Sequence, residues 1–379
     1  MGEWQRVELG ELINIKHGYA FPGSAISTEP SDEILVTPGN FNYGGGFKLG
    51  KLKYFHDAAP NDYVLRTGDL VVTMTDLSKE TDTLGYAAKI PNLSNKRFLH
   101  NQRIGLVTSI SERADLNFLY WVMRTDSYQG FIAGAATGMS VMHTSPTTIR
   151  SYEFDLPPLP EQKAIAEVLS SLDDKIHLLH RQNKTLESLA QTLFRQWFIE
   201  SPSSTWKEGK VIDLFVLQRG FDLPSQIRRA GPHPIYSSSG IAGYHDEYKI
   251  KAPGVTTGRS GLIGKVFYAR ENFWPLNTSL FVVEYKLATP LFTYFFLDTL
   301  GLDELNAGSA VPTLNRNDVH SLTCVLPDKE KVLDFEKFAS LQFQKIASNK
   351  NQLQNLSKLR DMLLPKLMSG EIQMEEIHD

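Results

Sequence analysis

Core-type positions between 161 and 198, apolar but for one asparagine, recur three and four apart in strict alternation: Leu169, Leu172, Ile176, Leu179, Asn183, Leu186, Ala190, Leu193, Trp197. Sustained over about four heptads, that spacing predicts one long helix with a narrow apolar stripe. No glycine or proline interrupts it, and the prolines of Leu156-Pro157-Pro158-Leu159-Pro160 keep the chain extended just ahead of it. Acidic Glu161 then suits the positive end of the helix dipole. The same stripe returns 170 residues later as Ala339, Gln342, Ile346, Asn349, Leu353, Leu356, Arg360, Leu363, Leu367, with Pro365 predicting a kink or stop in the last turns. A stripe about 57 Å long must be covered. Its natural cover is the other copy, in an antiparallel pair whose core is Leu172, Ile176, Leu179, Asn183, Leu186, Leu193 and Trp197 against Ile346, Leu353, Leu356 and Leu363. Asn183, at a core-type position, should meet a polar partner or mark a partner-binding face. Two unrelated coiled-coil linkers would each carry a stripe, but not a gap-free shared register.

The repetition extends beyond the helices. The segment from Trp4 matches the segment from Trp206, pairing Leu12 with Leu214, Gly18 with Gly220 and Pro22 with Pro224 at a spacing of 202. Later positions match at 170: Gly138 with Gly308, Val141 with Val311, Ile149 with Val319. The second copy is therefore shorter by about 32 residues (202 − 170). Alike ends around unlike middles describe a frame carrying two different variable modules. Those middles hold short β-type runs such as "LVVTMT", "RIGLVTSI", "GKVFYAR" and "SLFVVEY", punctuated by turn signals, with a helical stretch late in each. The predicted class is α+β: two α/β modules on a pseudo-two-fold pair of long helices. The divisions fall at 1–156 for the first module, 157–200 for the first helix, 201–326 for the second module and 327–379 for the second helix.

Composition narrows the chemistry. One cysteine, Cys324, excludes an internal disulfide and any multi-cysteine metal site, and its strand-like surroundings make it a buried small residue. The ten histidines show no metal-ligand spacing. No signal-peptide core and no apolar run of membrane-spanning length is present, so a cytoplasmic location without membrane contact is expected. The net charge is −4, and residues 21–155 carry 12 Lys/Arg against 14 Asp/Glu. Any nucleic-acid surface must therefore be local, or shared with a partner. The phosphate-loop and amino-methyltransferase patterns are incomplete or absent, which leaves no catalytic constellation.

Two kinds of loop carry the remaining interest. "TTGRSGLIGKVFY" (256–268) places Arg259, Ser260 and Lys265 among glycines 258, 261 and 264; its partner is "TMTDLSKETDTLGYAA". Glycines there allow a backbone to approach a phosphate, and Arg259 could read a guanine edge; a tight turn between two strands explains the same residues. "AATGMSVMHTSPTTI" and "NAGSAVPTLNRNDV" form the second pair, again either surface loop or backbone contact.

Together with "LPPLPEQKAIAEVLSSLDDKI", "HNQRIGLV", "LGELINIKHGYAF" and "LRDMLLPKLMSGEI", these residues resemble the specificity subunits of type I restriction-modification systems, across essentially the whole chain. The start of the second helix, "LPDKEKVLDFEKF", departs from the family's Pro-rich Glu-Gln pattern. The resemblance implies a sequence-specific DNA reader with no active site of its own. Each module would read one half of a split, asymmetric target, and the helix pair would space the modules and dock two methyltransferase subunits. S-adenosylmethionine, Mg and ATP would belong to those subunits and to a restriction/translocase subunit, with no cofactor in this chain. Double-stranded DNA would then meet Lys79, Arg103, Thr137, Ser140 and His143 in the first module. In the second it would meet Arg219, Thr257, Arg259, Ser260, Lys265, Ser309, Asn315 and Arg316. Two other readings remain: a specificity subunit of another restriction class with a fused methylase-nuclease partner, and a coiled-coil adaptor that does not bind DNA.

Overall fold

A computed structural model describes residues 3–76, 81–308 and 310–372. The chain folds as two compact units, Met1–His177 with Leu353–Asp379, and Leu178–Gln352. Each unit contains one β-rich module and half of each long helix. By contact the helices are shared between the units rather than standing as segments of their own.

The first helix runs Leu159–Arg195 and the second Lys329–Met368, starting 170 residues apart (329 − 159). In the first unit, Ile165, Ala166 and Leu169 from the opening turns of one helix share a core with Leu363, Leu364 and Leu367 from the closing turns of the other. In the second unit Ala190, Phe194 and Phe198 share a core with Val332, Phe335, Ala339, Phe343 and Ile346. The two helices therefore pack antiparallel. Ile176, Leu179, Ile346 and Leu353 are buried, while Leu172, Leu186, Leu356 and Leu363 are half-buried.

Two features correct the expected seam. Leu193 and Trp197 are only half-buried, and Phe194 and Phe198 take their place. A helix of 3.6 residues per turn drifts from a strict heptad, and here its last turns also face the module, where Phe194 and Phe198 meet Phe292 at 5.3 and 5.0 Å. Pro365 does not stop the second helix, which continues to Met368, the Ser369 N–H bonding the Pro365 carbonyl at 3.0 Å. A proline one turn from the end removes a single intrahelical bond.

Within the first unit a four-stranded antiparallel sheet runs in the order Asn14–His17, Ile104–Thr108, Leu70–Thr73, Ala87–Lys89. The second unit repeats it as Phe215–Arg219, Ser279–Tyr285, Gly254–Gly258, Val266–Ala269. The register is the same, Ile104 opposite Thr73 in one and Ser279 opposite Gly258 in the other. Each unit also has a parallel pair, Glu33–Val36 with Arg97–His100, and His233–Ser237 with Trp274–Pro275. The shared frame therefore continues through the middles expected to differ. The longer first unit adds the strands Ile26–Ser27 and Val64–Leu65, while its Lys53–Phe55, antiparallel to Glu33–Val36, matches Gly240–His245 beside His233–Ser237 in the second. These middles share a fold with little shared sequence because buried strands demand only apolar residues of suitable size.

The module is closed at its base by Gln5–Glu8 pairing with Glu153–Leu156, and in the second unit by Lys207–Lys210 with Thr323–Leu326. A tryptophan before each first strand donates to a carboxylate at the start of the following helix: Trp4 Nε1 to Glu161 at 3.2 Å and Trp206 Nε1 to Asp328 at 3.1 Å. Buried Gln162 explains the Glu-Gln of the first helix. Its Nε2 donates to the carbonyls of Arg113 (2.9 Å) and Pro157 (2.8 Å), and its Oε1 accepts from Asp115 N. Val332 fills the same place in the second helix and packs in the apolar core, so the pattern there has no need of Glu-Gln. Among the described residues no helix is long and apolar enough to cross a membrane.

Candidate nucleic-acid interface

The central strand Gly254–Gly258 is buried on both faces, and the chain leaves its end at Arg259. A Cβ on Gly258 would lie 1.8 Å from the Leu262 carbonyl oxygen, so the turn itself requires glycine there. The Arg259 backbone is held on both sides, its N–H by Thr278 O and its carbonyl by Leu314 N, both at 2.8 Å. Ser260 bridges to Thr313, and the Gly261 N–H bonds the Pro312 carbonyl at 3.0 Å. The two loops singled out separately in the second module therefore lie side by side.

The first unit makes the same joint. Met74 N bonds Arg103 O at 2.9 Å, and Thr144 N bonds Met74 O at 3.0 Å. Thr75 and Asp76 pair with His143 and Met142, and Thr75 Oγ1 lies 3.2 Å from His143 Nδ1. Both second loops close through one turn. A Cβ on Gly138 would fall 2.0 Å from Val141 O, and one on Gly308 would fall 2.0 Å from Val311 O. No larger residue fits either turn, which accounts for the Gly–Val match at a spacing of 170.

On this common joint the side chains differ. Met74 takes the place of Arg259, and Arg103 the place of Thr278. Each unit thus has one arginine at the same end of its central strand pair, on opposite strands. The neighbouring position is His17 in the first unit and Arg219 in the second, both exposed. His17 was missed, although the 202-residue match to Arg219 points to it.

Arg259 is half-buried, with Nη1 donating to the Asn277 carbonyl at 3.0 Å. Burial, and then the Arg219 charge, lower its pKa from the usual arginine range. Neither arginine has a carboxylate ion-pair partner among the described residues. Two like charges near one strand end favour a nearby anion. Exposed Lys265 lies at the far side of the same loop.

Other expected contacts sort by exposure. Arg103, Thr137, Ser140, His143, Asn315 and Arg316 are exposed. The Asn315 side chain is committed to capping the helix Arg316–Ser321, accepting from Asn317 N at 3.0 Å. Thr257 is a correction: it is fully buried in the central strand and its Oγ1 donates to Lys265 O at 2.8 Å, so it supports the loop from beneath and cannot reach DNA. Lys79 and Ser309 lie outside the described residues.

A model of the type I restriction modification DNA specificity domain matches residues 1–188 and again 203–358. The chain belongs to that family. The two matched stretches are the two copies of the repeat. Among similar specificity subunits, that of the type I restriction enzyme MjaIX from Methanocaldococcus jannaschii is 25% identical over 304 residues, covering 69% of this chain and 70% of the relative. The specificity subunit of EcoBI from Escherichia coli is 26% identical over 195 residues, covering 51% of this chain and 37% of the relative. A crystal structure of the type I restriction-modification S subunit from M. genitalium superposes with a TM-score of 0.67 at 19% identity, covering 96% of each chain, and so shares the fold. As a member of the specificity family, this chain is a DNA-specificity subunit.

Proposed function

We propose that each unit of this specificity subunit reads one half of a split, asymmetric duplex target, while the helix pair sets their spacing and docks two methyltransferase subunits. The observation that carries this reading is the repeated joint, with one strand register and one turn but different residues at its tip: Met74, Arg103 and His17 against Arg259, Thr278 and Arg219. Identical placement with different donors and acceptors is what two readers of different bases need, because base edges differ only in their donor, acceptor and methyl pattern. Methyl transfer from S-adenosylmethionine, and Mg- and ATP-dependent restriction, then belong to partner subunits, and this chain supplies recognition alone. A small net negative charge suits that division, since partners can share the phosphate contacts while base contacts specify.

The test is replacement of residues 21–155 by the equivalent segment of a relative, followed by methylome sequencing of cells expressing the intact system. One half of the methylated motif should change and the other half, with the spacer, should stay. Change in both halves would refute independent reading. Methylation by a single polypeptide carrying both methylase and nuclease would favour a different restriction class, and absence of any motif would favour an adaptor.

A further inference from the structure

The second unit contains a cleft of about 580 Å³ between its module and the long helices. One wall is the hairpin tip at Ser239–Ile241 together with the outer edge of Val266–Ala269, a strand paired on one side only. The opposite wall is formed by the helices at Asn183–Glu187 and Phe343–Lys350. Aromatic rings make the floor, with Tyr268 and Phe343 in edge contact at 5.4 Å.

The residues lining this floor carry three cations against one acid. Lys184, Arg270 and Lys350 line the cleft, are exposed, and have no carboxylate ion-pair partner among the described residues. The lining has one acid, Glu187, which already accepts from the Tyr294 hydroxyl at 3.0 Å. Three unpaired cations on a chain of net charge −4 mark a local anion-binding surface.

The cleft is also continuous with the candidate interface. Val266–Ala269 begins immediately after Lys265, and a Cβ on Gly261 in the Arg259 loop would lie 3.5 Å from Ser238 Oγ in the hairpin tip. At about 3.3 Å per residue, Arg270 lies roughly 17 Å along the strand from Lys265, about five base pairs of duplex rise. A sugar–phosphate backbone alternates apolar sugars with anionic phosphates, and so matches a cleft with an apolar floor and a cationic rim.

Building on the reading of this unit as a half-site reader, we propose that the cleft holds the sugar–phosphate backbone of the duplex beside that half-site. Lys184, Arg270 and Lys350 each neutralise a phosphate. The contact is independent of sequence and extends the footprint from the reading loop onto the helices.

The experiment uses the full chain with its methyltransferase subunits and two 30-base-pair duplexes, one bearing the methylated motif and one scrambled. Affinity is measured across salt concentration. The triple variant Lys184→Ala, Arg270→Ala, Lys350→Ala should reduce the slope of log K against log salt by about 2 to 3, at about 0.9 per phosphate. It should weaken both duplexes by the same factor, leaving the ratio between them unchanged. A control triple outside the cleft, Lys207→Ala, Lys329→Ala, Lys337→Ala, should leave the slope within about one unit of the parent. An unchanged slope in the cleft variant overturns the proposal, as does an equal loss in the control. Loss of methyltransferase subunits with the DNA slope intact also overturns it, and assigns the cleft to a protein segment. If the parent complex shows no preference for its motif, the half-site reading itself fails; a clear preference with an unchanged slope sinks the cleft alone.

Discussion

Removing one carboxylate should loosen the first unit and leave the second untouched. Asp173, on the first long helix, is 9% exposed and lies between two arginines. Arg124 Nη1 donates to its Oδ2 at 2.8 Å and Arg360 Nη1, from the second helix, to its Oδ1 at 2.5 Å. Burial pushes the Asp173 carboxyl up, but the two guanidiniums outweigh it and hold the group below the usual carboxylate range. Asp173→Ala strands two cations. Arg360 is 20% exposed and keeps Asp361 at 2.8 Å, so it can turn to water. Arg124 is 5% exposed, and keeps the Gly44 carbonyl (2.7 Å), the Tyr120 hydroxyl (2.6 Å) and the Trp121 ring (4.3 Å). Breaking a buried pair costs about 3–5 kcal/mol. The remaining Arg124 contacts place this case near 3, or roughly a 150-fold rise in local opening. Amide hydrogen exchange reads it directly. Amides of Leu116–Val122 and Asp126–Gly134 should exchange faster by about that factor, while those of Pro290–Asp298 serve as the internal control. A depressed carboxyl pKa contributes stability that is complete above the unfolded value near 3.9 and is lost as pH falls through the folded value. The acid sensitivity of this region should therefore vanish in the variant. Protection changed by less than about threefold would refute the reasoning. Replacing all three residues by apolar ones should cost little or stabilise. The second unit supports this, because Phe343 and Ala190 stand at the places of Asp173 and Arg360 and both lie in its apolar core.

Three further outcomes follow from named contacts. Asn349 is fully buried; its Nδ2 donates to Asn183 Oδ1 at 2.8 Å and to Gln182 Oε1 at 2.9 Å, while its Oδ1 has no partner, so Asn349→Leu should raise the urea midpoint by the equivalent of about 1 kcal/mol, and a lowered midpoint would show that the polar pair stabilises. Arg259→Ala should weaken binding to the motif by about 1–3 kcal/mol if the arginine grips a base edge, with thermal stability unchanged; affinity unchanged by the substitution on both motif and scrambled duplex would make the loop a structural turn. Inserting four residues near Thr185 adds about 6 Å of helix and should lengthen the unread spacer by one or two base pairs; an unchanged spacer in the methylated motif would show that the helices do not set it.

The repeat, the antiparallel helix pair and the polar interruption at Asn183 were legible in the sequence, because periodicity and register are one-dimensional properties that survive in a linear string. So were the Gly–Val turns at 138–141 and 308–311, where a carbonyl 2.0 Å from a would-be Cβ forces glycine. What lies beside what was not legible. The strand frame shared by both middles escaped notice because any apolar residues of suitable volume fill it. The equivalence of Met74 with Arg259 rests on backbone hydrogen bonds, which leave no mark on side-chain identity. Thr257 reads as a polar loop residue in the string, and only its place in the central strand turns it inward beneath Lys265. Asp173 sits one residue off the heptad seam, as an ordinary solvated carboxylate would. Its burial depends on Arg124, 49 residues earlier, and Arg360, 187 later. Local sequence determines which segments become helix or strand, but the partner that makes a buried charge or a reading loop possible is fixed only when distant segments meet.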